Sequence, residues 1–318
     1  MKKKIILAFI FIGIIMFSGC SKEPEISKDE KDYQKIYVDF SDKLKVEKNN
    51  IIQYIDEISS EKYEGRKTGT KGEAEAALYL ASFLKDHGIE PYTEGSYFQV
   101  FTDPDTGIEG DNVLGILKYP ERHKYIVVSA HYDYLGRENG GKERILPGAN
   151  QNASGVSAVM EAARVLSKNF DSMEYNVVFA FFSGHEQNLA GSKAYFDFLT
   201  ETEKNNIKFM VNLDTIGSFG DKNYIIWREN ELSKNEISEF MSWKDFSIKP
   251  SARGADNSDH YHFGKNNISA ITIRSQDWET GAGTIGDTRY GVNIDNVRML
   301  TQNLVNYIYN LEGEEDAG

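Results

Sequence analysis

The sequence predicts an α/β fold, a mostly parallel central sheet with helices on both faces that together make a three-layer sandwich. Two observations predict it. Short, nearly continuous apolar runs at 125–130, 176–182, 208–213 and 269–273 have the length and β-branched content of strands buried on both sides. Between them lie segments with apolar residues at helical spacing, the alternation that a parallel sheet requires. A chain of 318 residues, 40% hydrophobic and 27% charged, can bury one large core. No internal repeat or low-complexity tract interrupts it.

At the N-terminus, Lys2, Lys3 and Lys4 precede an uncharged apolar run at 5–17, and Ser18-Gly19-Cys20 follows at once. These are the basic, apolar and small-residue regions of a secretory signal. The run falls short of the roughly 20 apolar residues of a spanning helix. Phe17-Ser18-Gly19-Cys20 resembles a bacterial lipobox, with Phe17 where Leu is commoner, so Cys20 is expected to be lipidated and to anchor the chain on the extracytoplasmic face of the cell membrane. The alternative, an uncleaved anchor, also leaves the rest of the chain outside. No cysteine follows Cys20, so that part has no disulfide within it.

The expected organisation is a signal peptide at 1–19, a tether and helical extension at 20–50, one domain at 51–312 and a tail at 313–318. In the extension, Tyr33, Ile36, Tyr37 and Phe40 read as one face of a short helix docking onto the domain. Net charge is −13, and removing residues 1–19 takes away three lysines and brings it to −16. Such a surface repels nucleic acid.

Within the domain, 71–87 carries Ala74, Ala77, Leu78, Ala81 and Leu84 at helical spacing and stops at Gly88. The strand at 125–130 leads to a helix at 153–166 and the strand at 176–182 to a helix at 189–199. After the strand at 208–213 come a strand at 224–227, a helix at 232–241, the strand at 269–273 and a final amphipathic helix at 296–311. Ligands of such folds bind beyond the carboxyl ends of the strands. Those positions hold His131 and Asp133, then the glycine-bounded stretch 148–155, then His185 and Glu186, then Asp214. One His or Asp there is usually structural, but four segments of metal-ligand types on one rim point to a site.

Ala130-His131-Tyr132-Asp133, Pro147-Gly148-Ala149-Asn150-Gln151-Asn152-Ala153-Ser154-Gly155, Phe181-Phe182-Ser183-Gly184-His185-Glu186-Gln187 and Asn212-Leu213-Asp214 resemble, in order and spacing, successive motifs of the secreted bacterial dizinc leucyl aminopeptidases, metallopeptidase family twenty-eight. Gly65-Arg66-Lys67-Thr68-Gly69-Thr70 and Ser258-Asp259-His260 extend the similarity over 50–312. The resemblance implies a zinc-exopeptidase-like (phosphorylase/hydrolase-like) sandwich. It places His131 and Asp214 as ligands of one zinc, Asp133 as the acid orienting His131, and Glu186 as a ligand of the other zinc.

The same resemblance implies three losses. Gln151 stands where the family has its bridging Asp, His185 where it has the general-base Glu, and Thr288 where it has the second zinc's His. Two divalent ions roughly 3.5 Å apart repel by about 19 kcal/mol at an effective dielectric near 20, and a neutral amide does not offset that. The leading expectation is therefore a non-catalytic peptide-binding or structural module that takes a peptide or protein N-terminus, with zinc at reduced stoichiometry or none. His131 and Asp133 would then hydrogen-bond each other, and Glu186 and Asp214 would repel unless protonated or salt-bridged. The alternative is a mononuclear metallo-aminopeptidase on His131, Glu186 and Asp214, with His185 as its base. Calcium on Gln151, Glu186 and Asp214 is a third occupant. His260 and His262 read as pocket wall. Phosphate-loop and dinucleotide spacings are missing from 65–72, and Ser154 lacks the nucleophile-elbow context.

Overall fold

A computed structural model describes residues 42–138, 144–220, 223–227, 248–251 and 257–313. The signal segment, Cys20, the 33–40 aromatics and the helix expected at 232–241 lie outside the described residues. The helices are α1 (Lys48–Ile58), α2 (Lys71–Asp86), α3 (Ser154–Ser167), α4 (Ala190–Phe198), α5 (Glu201–Asn206), α6 (Tyr261–Lys265) and α7 (Ile294–Asn310). The strands are β1 (Glu90–Pro91), β2 (Phe98–Thr102), β3 (Glu109–Leu117), β4 (Tyr125–His131), β5 (Asn176–Phe182), β6 (Ile207–Leu213), β7 (Asn223–Trp227), β8 (Ile248–Ser251) and β9 (Ala270–Ser275). No described helix is long and apolar enough to cross a membrane.

The strands form one open sheet in the order β1-β3-β5-β4-β6-β9-β7-β8, with β2 also on β3. Its centre, β5-β4-β6-β9, is parallel, as the apolar runs predict. The flanks make the sheet mixed, because β3 runs antiparallel to β5 and β7 antiparallel to β9. Successive side chains of a strand leave opposite faces, and the core divides accordingly. Ile126, Val128, Phe179 and Phe181 pack with Ile55 of α1, Leu84 of α2, Val159 of α3 and Leu304 of α7. Val127, Val178, Ala180 and Phe182 pack with Tyr195 of α4 and Phe263 of α6 on the other face. Leu44 and Val46 also belong to the first cluster, so the packed chain reaches upstream of residue 50.

One backbone approach sets the depth of the rim. A Cβ added to Gly191, in the first turn of α4, would stand 2.0 Å from the Ser183 carbonyl oxygen and 2.4 Å from Asn112 Oδ1. Asn112 holds both neighbours, donating to the Gly191 carbonyl at 2.8 Å and accepting from the Ser183 amide at 3.1 Å. Gly191→Ala is therefore expected to cost about 3 kcal/mol, the upper part of the usual overpacking range. Urea denaturation measures it, and a loss below about 0.5 kcal/mol, inside the range of neutral surface changes, would mean that α4 can slide.

Candidate active site

The parallel strands end on one edge, and the residues that follow them converge there. His131 closes β4, His185 follows β5 by three residues, Asp214 comes directly after β6, and Arg274 lies near the end of β9. Asp259 enters from the segment before α6. All but His185 are buried.

Each imidazole is held through Nδ1 and turns Nε2 toward Asp214. His131 Nδ1 lies 3.1 Å from the Asp133 carbonyl oxygen and 3.5 Å from Asp133 Oδ1. His185 Nδ1 lies 3.0 Å from Asp259 Oδ2. His131 Nε2 is 3.7 Å from Asp214 Oδ1, with no hydrogen-bond partner, and His185 Nε2 is 4.0 Å from Asp214 Oδ2. The rings stack with centroids 3.7 Å apart and planes 10° from parallel. Asp133 also accepts from Thr68 Oγ1 at 3.0 Å and from the amides of His185 and Glu186, which ties β4 to the loop after β5.

Asp214 is the electrostatic centre. Its Oδ1 accepts from Thr215 Oγ1 at 2.9 Å, and its Oδ2 from Ser258 Oγ at 2.7 Å and from Arg274 Nη2. Burial pushes its carboxyl up, but the Arg274 guanidinium and the imidazoles outweigh that and hold it well below the usual carboxylate range. Burial alone would lower His131, yet Asp133 and Asp214 raise it well above the ordinary imidazole value. Asp259 is pushed up by burial and more strongly down by His185, and ends below its usual value. The expected repulsion between unpaired Glu186 and Asp214 is thus forestalled at Asp214 by salt bridging.

Glu186 stands elsewhere on the rim, its Oε1 3.3 Å from Gln151 Nε2, and burial raises its carboxyl. Gln151 sits in the irregular turn Ala149–Ala153, which leads into α3 from Gly148 at φ 60°. Asp287 grips that turn, accepting from the Asn150 amide at 2.7 Å and the Gln151 amide at 3.1 Å. Thr288 follows as the residue before a short helical turn, its amide 2.8 Å from the Gly286 carbonyl. Beneath the turn Arg66 is wholly buried. It donates to the carbonyls of Tyr132 (2.8 Å), Ile58 (2.7 Å), Pro147 (2.8 Å) and Gly148 (3.0 Å), and burial pulls its guanidinium down to about 10. His260 precedes α6 and contacts Thr272 Oγ1 at 2.8 Å, while His262 lies within α6.

Among the described residues, His131, His185 and Asp214 are the group whose ligand atoms lie within 4.8 Å of one another; Glu186 is not part of it. Two imidazoles and a carboxylate, each imidazole backed by a carboxylate, are a donor set that suits zinc. Tetrahedral bonds of ~2.0–2.1 Å set donors about 3.3 Å apart, so the 3.7 and 4.0 Å separations would have to close. The parallel rings are a further obstacle, because their lone pairs do not converge. Sequence reasoning missed Asp259 as the partner of His185, placed Arg66 in a motif without giving it a role, and missed Arg274 and Asp287 altogether. Arg274 carries a readable signal, a charge at the end of a buried strand, the same signal that marked Asp214.

The sequence profile of peptidase family M28 matches residues 112–310, more than half of the chain, and the chain belongs to that family. It is 35% identical to aminopeptidase YwaD of Bacillus subtilis over 120 residues, which are 37% of this chain and 24% of that protein. It is 30% identical to the BOS complex subunit NCLN of Rattus norvegicus over 165 residues, 47% of this chain and 27% of that protein. The chain thus spans about a quarter of the length of these curated relatives. The structure of BSAP, a zinc aminopeptidase from Bacillus subtilis, superimposes with a TM-score of 0.67 at 17% identity, over 86% of this chain and 97% of that one.

Proposed function

We propose that this aminopeptidase-like M28 chain is an exported lipoprotein, anchored through Cys20, that does not hydrolyse peptides and uses the strand-end site to hold a peptide or a protein N-terminus. One observation carries the reading: at the family's bridging position stands Gln151, whose amide donates to Glu186 instead of supplying an anion. Two divalent ions do not fit there, since the positions aligned with the bridge, the base and the last ligand hold Gln151, His185 and Thr288. A protonated amino terminus is the ligand chemistry that suits a rim with a partly buried Glu186.

The convergence of His131, His185 and Asp214 favours a second reading, a mononuclear aminopeptidase with one zinc. The discriminating experiment offers zinc and leucine p-nitroanilide to the purified chain. No turnover above buffer is the expected result. Turnover abolished by His131→Ala would establish the second reading instead. Replacing Cys20 by serine is expected to abolish incorporation of labelled fatty acid and to shift the chain from the membrane fraction; retention of label would sink the anchor.

A further inference from the structure

We infer that Arg274 is a built-in replacement for a metal ion, so that Asp214, the carboxylate at the centre of the site, has its counter-charge from the protein itself. The inference rests on the non-hydrolytic reading and deepens it. Each carboxylate of the rim already has a donor from the chain: Arg274 and Ser258 for Asp214, His185 for Asp259, Thr68 and two amides for Asp133, and Gln151 for Glu186. A carboxylate offers about four lone-pair sites, and on Asp214 three are taken, by Thr215 Oγ1, Ser258 Oγ and the Arg274 guanidinium.

Arg274 is itself seated. It is 2% exposed, donates through Nη1 to Asn257 Oδ1 at 3.1 Å, and lies with its guanidinium carbon 4.3 Å from the centre of the Trp278 ring. That is a fixed pocket for one cation, and a second cation on the same carboxylate would face it as a like charge. The imidazoles complete the argument. Rings 10° from parallel and 3.7 Å apart direct their in-plane lone pairs side by side, so one ion at ~2.0–2.1 Å from both nitrogens requires a ring to turn and abandon its Nδ1 contact.

The test is zinc binding by equilibrium dialysis, with thermal melting, on the full-length parent, Arg274→Gln and Arg274→Lys. The parent and Arg274→Lys are expected to take up no stoichiometric zinc and to melt at the same temperature with and without it. Arg274→Gln is expected to gain zinc affinity by at least about tenfold, the lower end of what groups behind a ligand exert, and to melt higher when zinc is present. One zinc per chain in the parent would overturn the inference, and so would an Arg274→Gln protein that folds yet gains nothing. If Arg274→Gln does not fold, the lysine variant still decides, because zinc uptake there would show that charge is not what excludes the ion. Leucine p-nitroanilide on the same samples separates the two ideas: turnover sinks the non-hydrolytic reading, whereas zinc without turnover sinks only this one.

Discussion

Replacing Arg66 by methionine is expected to cost about 3–5 kcal/mol of folding stability, because it leaves several buried carbonyls without a donor. Four carbonyls, those of Ile58, Tyr132, Pro147 and Gly148, accept from the guanidinium, and all but that of the half-buried Pro147 belong to buried residues. Each orphaned buried acceptor costs ~1–3 kcal/mol, offset in part by no longer burying the charge. Arg66→Lys is expected to lose nearly as much, because an ammonium lacks the planar fork that spans all four. Urea denaturation followed by circular dichroism reads the loss; under ~1 kcal/mol would show that the carbonyls find other donors. Hydrogen exchange should also quicken across 147–153, because Arg66 underlies the turn that carries Gln151.

The parallel centre of the sheet was legible because burial on both faces leaves an unbroken apolar signature, as in Asn176–Phe182, where every residue is buried. The antiparallel strands β1 to β3 were not. Val100 of β2 is exposed, β1 is two residues long and ends at Pro91, and Gly110 and Gly115 dilute β3, so no run stands out. A Cβ at Gly115 would meet methyls of Ile89 and Leu84 at 2.9 Å, so those side chains would have to shift to admit one. The small helix α5 went unread although Thr200 and Glu203 form a complete capping box, since all its residues face water at least in part and none shows an apolar period.

Strand-end logic found His131, Asp133, His185, Glu186 and Asp214, because the residue after a buried strand can be read without coordinates. It did not find what completes them. Arg274 lies 60 residues beyond Asp214 in sequence and reaches it because β9 pairs with β6 in parallel register, and Asp259 lies 74 residues beyond His185 and meets it from the segment before α6. Their pairing turns on which acid receives which cation, a question of distance that spacing does not encode. Asp287 is similar: its two bonds to the Gln151 turn span 136 and 137 residues.

Asp214→Asn puts the electrostatic account to its hardest trial. The amide keeps the shape of the side chain and can still accept from Ser258, but it leaves Arg274 buried without a counter-ion, for which about 3–5 kcal/mol is expected. Arg274→Met alone should be milder, since Asp214 retains Thr215 and Ser258 as donors and the two imidazoles nearby. The double variant should lose less than the two single losses added together, by a coupling of about 2 kcal/mol in the double-mutant cycle, because a buried pair can be exchanged for neutral groups at little net cost. Additive losses would mean that Arg274 draws its stability from Asn257 and Trp278 and not from Asp214. Excess chelator supplies the control. A site stabilised by its own guanidinium should melt at the same temperature with and without chelator, whereas a site stabilised by a bound ion loses that linkage energy, about 2.7 kcal/mol for an ion held at a hundred times its dissociation constant.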